Sequence, residues 1–230
     1  MRNVEHINIA IDGPAGAGKS TVAKRIADRL GIRYLDTGAM YRALALGVLR
    51  AGVDTGDEAA VSAMLPGLDI RVTYDARGQR VLLNGDDVTA GLRTPEITMA
   101  ASAVGKLPCV RHKLVELQQA AARSYSMVMD GRDITTVVLP DTPYKFFVTA
   151  SPEVRAERRL LEMRQKGDDS AAYADVLRDI RRRDEQDSTR ECMPLRVADD
   201  AVVVDTSALS VDTVVEGMLR SIEQKRSCRE

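Results

Sequence analysis

The stretch Gly13-Pro-Ala-Gly-Ala-Gly-Lys-Ser-Thr21 constrains this chain more than any other. It satisfies the spacing Gly-x-x-x-x-Gly-Lys-Ser/Thr. It also stands where that pattern has physical meaning, after the apolar run Ile7-Asn-Ile-Ala-Ile11 and before a helical run from Lys19 to Leu30 that Gly31 stops. Glycines let a backbone curl until several N–H groups point at one anion, and the following helix aims its positive end at the same place. In such a loop Gly13, Pro14, Ala15, Gly16, Ala17, Gly18, Lys19, Ser20 and Thr21 surround the phosphates of a nucleoside triphosphate. Lys19 reaches the β and γ phosphates, and Ser20 is the ligand for Mg²⁺. A glycine turn without phosphate is the competing reading, disfavoured because residue pattern and context are both met.

The rest of the chain alternates short apolar strands with helices. Strands are expected at Ile32–Leu35, Ser126–Asp130, Lys145–Thr149 and Ala201–Asp205. Helices are expected over about 39–50, 57–65, 108–124 and 152–166, then from near Ser170 and from Val211. This order predicts an α/β fold, a doubly wound parallel sheet. The pattern changes at about Leu68–Val88, where Ile70, Val72 and Tyr74 alternate with polar residues and Arg80-Val-Leu-Leu83 reads as a partner strand. Asp75-Ala-Arg-Gly78 and Asn84-Gly85 supply the turns, so a small antiparallel β insertion is expected; Thr94-Pro95-Glu96 then opens a helix with its own cap. The expected organisation is a core of 1–62 and 103–230, with a short helical lid at about 153–170 and an inserted acceptor-binding unit at 63–102.

Composition narrows the partners. A net charge of -1 provides no sequence-independent pull toward nucleic acid or anionic membrane, so phosphate binding has to be local. The arginines crowded between Arg155 and Arg190 are interleaved with carboxylates, which is a mixed-charge region rather than a basic tract. Cys109, Cys192 and Cys228 are too scattered for a zinc site or a disulfide framework, and they read as free thiols. With no leader and no membrane-length apolar run, the expectation is a cytoplasmic monomer acting on small molecules.

Three classes of triphosphate-binding protein compete. A GTPase would carry Asn-Lys-x-Asp for guanine, and none occurs. A motor or repair ATPase usually needs a longer chain and a basic surface. A small-molecule kinase fits the length and the insertion best. Such an enzyme must hold two mutually repelling anions in line, preferably with the planar forks of arginine. Asp36-Thr-Gly-Ala-Met-Tyr-Arg42 and Asp130-Gly-Arg-Asp133 both follow strands, where ligands bind in these sheets, though each alone is equally compatible with a turn bearing a surface ion pair. More telling is Arg183-Asp-Glu-Gln-Asp-Ser-Thr-Arg190. The apolar stripe Tyr173, Val176, Leu177, Ile180 runs on into Arg183, Asp184, Asp187 and Arg190, directing charges inward where they need partners or a ligand; a solvated helix end is the alternative.

Together with Leu35-Asp-Thr-Gly-Ala-Met-Tyr-Arg42, Pro194-Leu195 and Val204-Asp-Thr-Ser207, these motifs resemble the bacterial cytidylate kinase family along essentially the whole chain. The resemblance implies ATP-dependent phosphorylation of CMP and dCMP with Mg²⁺, in a fold with an enlarged monophosphate-binding unit. By position Ser102, Arg111 and Asp133 resemble the residues that read the cytosine edge. Asp36 belongs to the acceptor-binding motif; Thr37, Arg42, Arg132 and Arg190 resemble acceptor-phosphate ligands; Tyr41 and Asp187 resemble ribose contacts; Arg183 resembles a lid-side cation. Arg155, Arg158 and Arg159 fall near the lid. Many relatives have glycine then threonine after the loop lysine where this chain has Ser20-Thr21, and some have serine where it has Thr37. Because the accepting oxygen is already anionic, no general base is required. Catalysis is expected from alignment and charge neutralisation by Lys19, Arg132, Arg183, Arg190 and Mg²⁺.

Overall fold

A computed structural model describes residues 6–76, 78–165 and 167–227, and the chain divides into two compact units. The first comprises the residues up to Arg33 together with those from Ser126 onward; the second is Tyr34–Tyr125. Arg77, inside the expected Asp75–Gly78 turn, and Cys228 lie outside the described residues.

The first unit is built on parallel strands β1 (Asn8–Asp12), β6 (Met127–Gly131), β7 (Tyr144–Thr149) and β8 (Val202–Asp205), which neighbour one another in the order β6-β1-β7-β8. Ile9, Ala10 and Ile11 are wholly buried, as are Met127, Val128 and Met129, which is why both central strands read as unbroken apolar runs. Register places Ile11 opposite Asp130 and Asp12 opposite Gly131, so two carboxylates close adjacent strands at one sheet edge. Helix α1 (Lys19–Leu30) packs on β6 and on α8 (Val211–Ser227), burying Val22 and Ile26 from one side and Val214, Met218 and Ile222 from the other. Helices α6 (Pro152–Gln165) and α7 (Tyr173–Thr189) share a core of Ala156, Leu160, Val176 and Ile180, with Leu177 packed against it; of the expected stripe only Tyr173, at the helix start, is exposed. Helix α7 starts at Tyr173 rather than near Ser170 because the N–H and hydroxyl of Ser170 both donate to Asp168 Oδ1, a local turn that competes with helix.

Strand β2 (Arg33–Asp36) leads the chain into the second unit, where α2 runs over Thr37–Arg50, α3 over Glu58–Met64, α4 over Pro95–Val104 and α5 over Pro108–Ser124. The expected insertion is a three-stranded antiparallel sheet: β3 (Ile70–Asp75), β4 (Gly78–Leu83) and the short β5 (Asp86–Asp87). Asn84 and Gly85 both have positive φ, as a tight β4–β5 turn demands. Ile70, Val81 and Leu83 face inward with Leu44, Val48 and Leu68; a β-carbon on Gly47 of α2 would lie 2.7 Å from a Leu68 methyl, so that helix lies directly on the insertion. Thr94 caps α4 by accepting from the Ile97 N–H. No helix among the described residues is long and apolar enough to cross a membrane.

Candidate active site

The loop after β1 is held by backbone packing. Gly13 has φ +143°, and a β-carbon there would fall 1.9 Å from the carbonyl oxygen of Val148, so only glycine allows the loop to leave the sheet at this point. The loop's carbonyls are satisfied by side-chain donors. Lys19 Nζ donates to Pro14 O at 2.7 Å, Arg155 Nη1 to Ala15 O at 3.2 Å, and Thr206 Oγ1 to Ala17 O at 3.1 Å. Thr206, within the last motif, in turn accepts from Arg158 Nη1 at 3.0 Å.

Arg155 is the lid arginine whose place departs most from a surface residue. Its side chain is 3% exposed and donates through Nη1 and Nη2 to Asp184 at 2.9 and 2.6 Å, and through Nε to Ala150 O at 2.9 Å. It is a strut between α7 and the phosphate loop. Arg159, by contrast, is exposed and bonds Glu162 on its own helix.

Lys19 is 6% exposed, and its pKa falls to about 7. Burial is the main cause, with the Arg132 charge adding to it, while Asp130, Asp12 and Asp187 pull the other way. Burial also works against the charge on Arg132, but Asp187, Asp130 and Asp12 outweigh it and hold its pKa above the ordinary value. Asp187, on α7, is the hub of the arginines: Oδ2 accepts from Arg132 Nε at 2.7 Å and Oδ1 from Arg190 Nη1 at 3.4 Å. Arg190 is further fixed by donating from Nε to Met193 O at 2.7 Å, and Leu195 N–H donates to Asp187 O at 2.7 Å. Lys19, Arg132, Asp187 and Arg190, chosen from three distant motifs, are thus brought together. Arg183 lies half-buried on the same inward side of α7, with no hydrogen-bond or ion-pair partner among the described residues.

Ser20 Oγ donates to Asp130 Oδ2 at 2.7 Å. A hydroxyl and a carboxylate at the mouth of a phosphate loop are the hard-oxygen set that suits Mg²⁺, which takes one or two protein ligands and completes its shell with phosphates and water. Among the described residues no cluster of three or more His, Cys, Asp or Glu could hold a metal ion. Thr21 follows Ser20 into α1 and is exposed.

Two carboxylates escaped the sequence reading as site residues. Asp130 is one; the other is Asp12, fully buried, with its pKa raised to about 6 by burial against the opposing hydrogen bonds from Thr135 and Ile134. A carboxylate at the end of an apolar strand was the available signal, and both ended strands already recognised.

In the second unit, Asp36 caps α2 by accepting from Ala39 N–H at 2.9 Å, and its Oδ2 accepts from Arg42 at 3.0 Å and Arg93 at 3.1 Å. The Gln79 amide brackets the Asp36 backbone, accepting from its N–H at 2.6 Å and donating to its carbonyl at 3.3 Å. Thr37 is buried at the first turn of the helix. Arg111, 2% exposed, lies with its guanidinium carbon 5.6 Å from the centre of the Tyr41 ring and donates from Nη1 to Gly105 O at 2.9 Å. Ser102 is exposed on α4, one turn before Gly105. Asp36, Thr37, Tyr41 and Arg42 therefore sit on one helix start, and Arg111 reaches it through Tyr41. Asp133 belongs to the first unit, where it is 4% exposed and opens a turn over Ile134–Val138.

A family model for cytidylate kinase matches residues 9–224. The cytidylate kinase of Caldicellulosiruptor bescii is 48% identical over 216 residues, covering 94% of this chain and 95% of its own length. That of Mycobacterium avium is 50% identical over 222 residues, covering 95% and 96%. Among solved structures, an uncharacterized protein from Eubacterium ventriosum shares the fold at a TM-score of 0.50 and 14% identity, over 95% of this chain and 99% of its own. Near-complete coverage at close to half identity leaves no room for a partial or fold-level likeness: the chain belongs to the cytidylate kinase family.

Proposed function

We infer that this chain transfers the γ-phosphoryl group of ATP to CMP or dCMP, giving ADP with CDP or dCDP. Family membership supports the reaction and its substrates. The observation that carries the site is the meeting of buried Lys19 with half-buried Arg132 at the mouth of a phosphate loop, both facing a shared set of carboxylates. Two cations are held together there only because Asp12, Asp130 and Asp187 offset them, and a charge-rich phosphoryl group fits the same place.

In this reading residues 13–21 bind the donor, and Lys19 exchanges Pro14 O for its phosphates. Ser20 and Asp130 hold Mg²⁺, which supplies charge neutralisation on those phosphates. Arg132 and Arg190, pre-aimed by Asp187, serve the acceptor phosphate, the family pattern gives Thr37 and Arg42 the same role, and Arg183 adds a cation from α7. Tyr41 and Asp187 contact the ribose. Arg111, Ser102 and Asp133 read the base, where cytosine offers acceptors at O2 and N3 and a donor at its amino group. The acceptor oxygen needs no proton removed, so the protein's task is alignment and charge stabilisation. Residues 63–102 serve the acceptor, and about 153–170 exclude water. A net charge of -1 provides no attraction to membrane or nucleic acid, in keeping with small-molecule substrates, and the proposed working form is a cytoplasmic monomer.

The test is a panel of nucleoside monophosphates with ATP and Mg²⁺, following ADP release. CMP and dCMP should drive release selectively. A selective response to AMP or GMP overturns the base assignment, and release independent of any acceptor makes the chain a plain ATPase.

A further inference from the structure

Beyond the charge it sets against Lys19 and Arg132, Asp12 has no contact assigned to either substrate, yet it is a fully buried carboxylate at the entrance of the phosphate loop. Its three bonds all come from one place. Oδ1 accepts from the Ile134 N–H at 2.9 Å, and Oδ2 accepts from the Thr135 N–H at 2.7 Å and the Thr135 hydroxyl at 2.6 Å. Thr135 is itself buried. These donors begin a wide turn over Ile134–Val138, in which Val138 N–H donates to Asp133 O and Leu139 N–H to Ile134 O, each five residues back.

The sheet supplies a second anchor. Gly131 lies in register with Asp12 at the ends of β6 and β1. The chain between the two anchors is only Arg132 and Asp133. One end of this span is pinned by the ladder and the other by a carboxylate that accepts two backbone N–H groups, a strong and directional arrangement. A carboxylate is a costly choice for bracing a turn out of water, since a neutral acceptor would be desolvated more cheaply. The extra strength is useful where the braced residues must themselves be held to within a fraction of an ångström.

We propose that Asp12, with Thr135, is a positioning residue that fixes Arg132 and Asp133 for the acceptor and so contributes to the choice of cytosine over uracil. This rests on the assignment of Asp133 to the base, given above. The experiment measures kcat and KM of the full-length enzyme with CMP and UMP, and KM for ATP, for Asp12→Asn, Thr135→Val and Thr135→Ser. Asp12→Asn should raise the KM for CMP and shrink the CMP-to-UMP ratio of kcat/KM by about tenfold, the weight of a charge-assisted hydrogen bond, with Thr135→Val doing so less strongly. KM for ATP should stay put in the Thr135 variants and rise in Asp12→Asn by clearly less than the KM for CMP, and Thr135→Ser, which keeps the hydroxyl, should restore the ratio. An unchanged ratio with a lowered melting temperature, or KM values for ATP and CMP that rise together, would overturn the proposal by making Asp12 a scaffold residue only. If Asp12→Asn does not fold, the Val and Ser variants of Thr135 decide the matter alone. Asp133→Asn separates the two readings. If it leaves the ratio untouched, the base assignment fails and takes the proposal with it. If it collapses the ratio while the Asp12 and Thr135 variants do not, the proposal alone fails.

Discussion

Asp12 illustrates how a single side chain ties pH to folding. Burial raises its pKa from 3.8 to about 6, against the pull of the Thr135 and Ile134 hydrogen bonds. A raised carboxyl binds its proton more tightly in the folded than in the unfolded chain. Its contribution is therefore fully present below the unfolded value and is lost as pH climbs through the folded one. We expect wild-type stability to fall between about pH 4 and pH 6 by on the order of 3 kcal/mol from this group. Asp12→Asn should flatten that fall, as urea unfolding across the same range would register. An equally steep fall in the variant would move the effect elsewhere. At this scale the sequence was legible wherever chemistry and spacing coincide: Lys19, Ser20, Arg132, Asp187 and Arg190 could be picked out because loop, strand end and helix face each imposed a pattern. Asp12 and Arg155 could not, since their partners, Thr135 and Asp184, lie 123 and 29 residues away.

Among the elements, α1 and α5 run between the residues that capping and periodicity predict, Lys19–Leu30 and Pro108–Ser124. Helix α2 starts two residues earlier than its apolar pattern because Asp36 caps it. The turn over Ile134–Val138 had no local signature at all, as its bonding depends on a carboxylate from another strand. Helices α6 and α7 were expected as a pair, but not the ion pair that joins them to the phosphate loop. Because Arg155 is 3% exposed and Asp184 is 28% exposed, removing the carboxylate strands the more deeply buried charge. Asp184→Ala should destabilise the protein by about 3 kcal/mol, whereas removing the exposed Glu162 beside Arg159 should change stability by less than about 1 kcal/mol. Thermal melts of the two variants compare these directly, and equal shifts would mean that the Arg155 pair is ordinary surface electrostatics.

For the molecule as a whole, acceptor roles are proposed for residues of each compact unit, so CMP should leave its mark on each. Hydrogen exchange with and without CMP should show slower amides at the start of α2, around 37–42, and in the segment 183–190 that ends α7. Protection confined to one of these would restrict the acceptor to a single unit and require Arg42 or Arg190 to be reassigned. The fold class itself was the most legible feature, because buried parallel strands advertise themselves as apolar runs and the insertion as an alternating one. The strut at Arg155 has one more consequence. A residue that belongs to α6 and also steadies the Ala15 carbonyl cannot travel far without loosening the loop. Any swing of the α6–α7 pair that preserves the loop must pivot at Arg155, so this guanidinium is a fulcrum and the sweep is left to the far tip around 167–172.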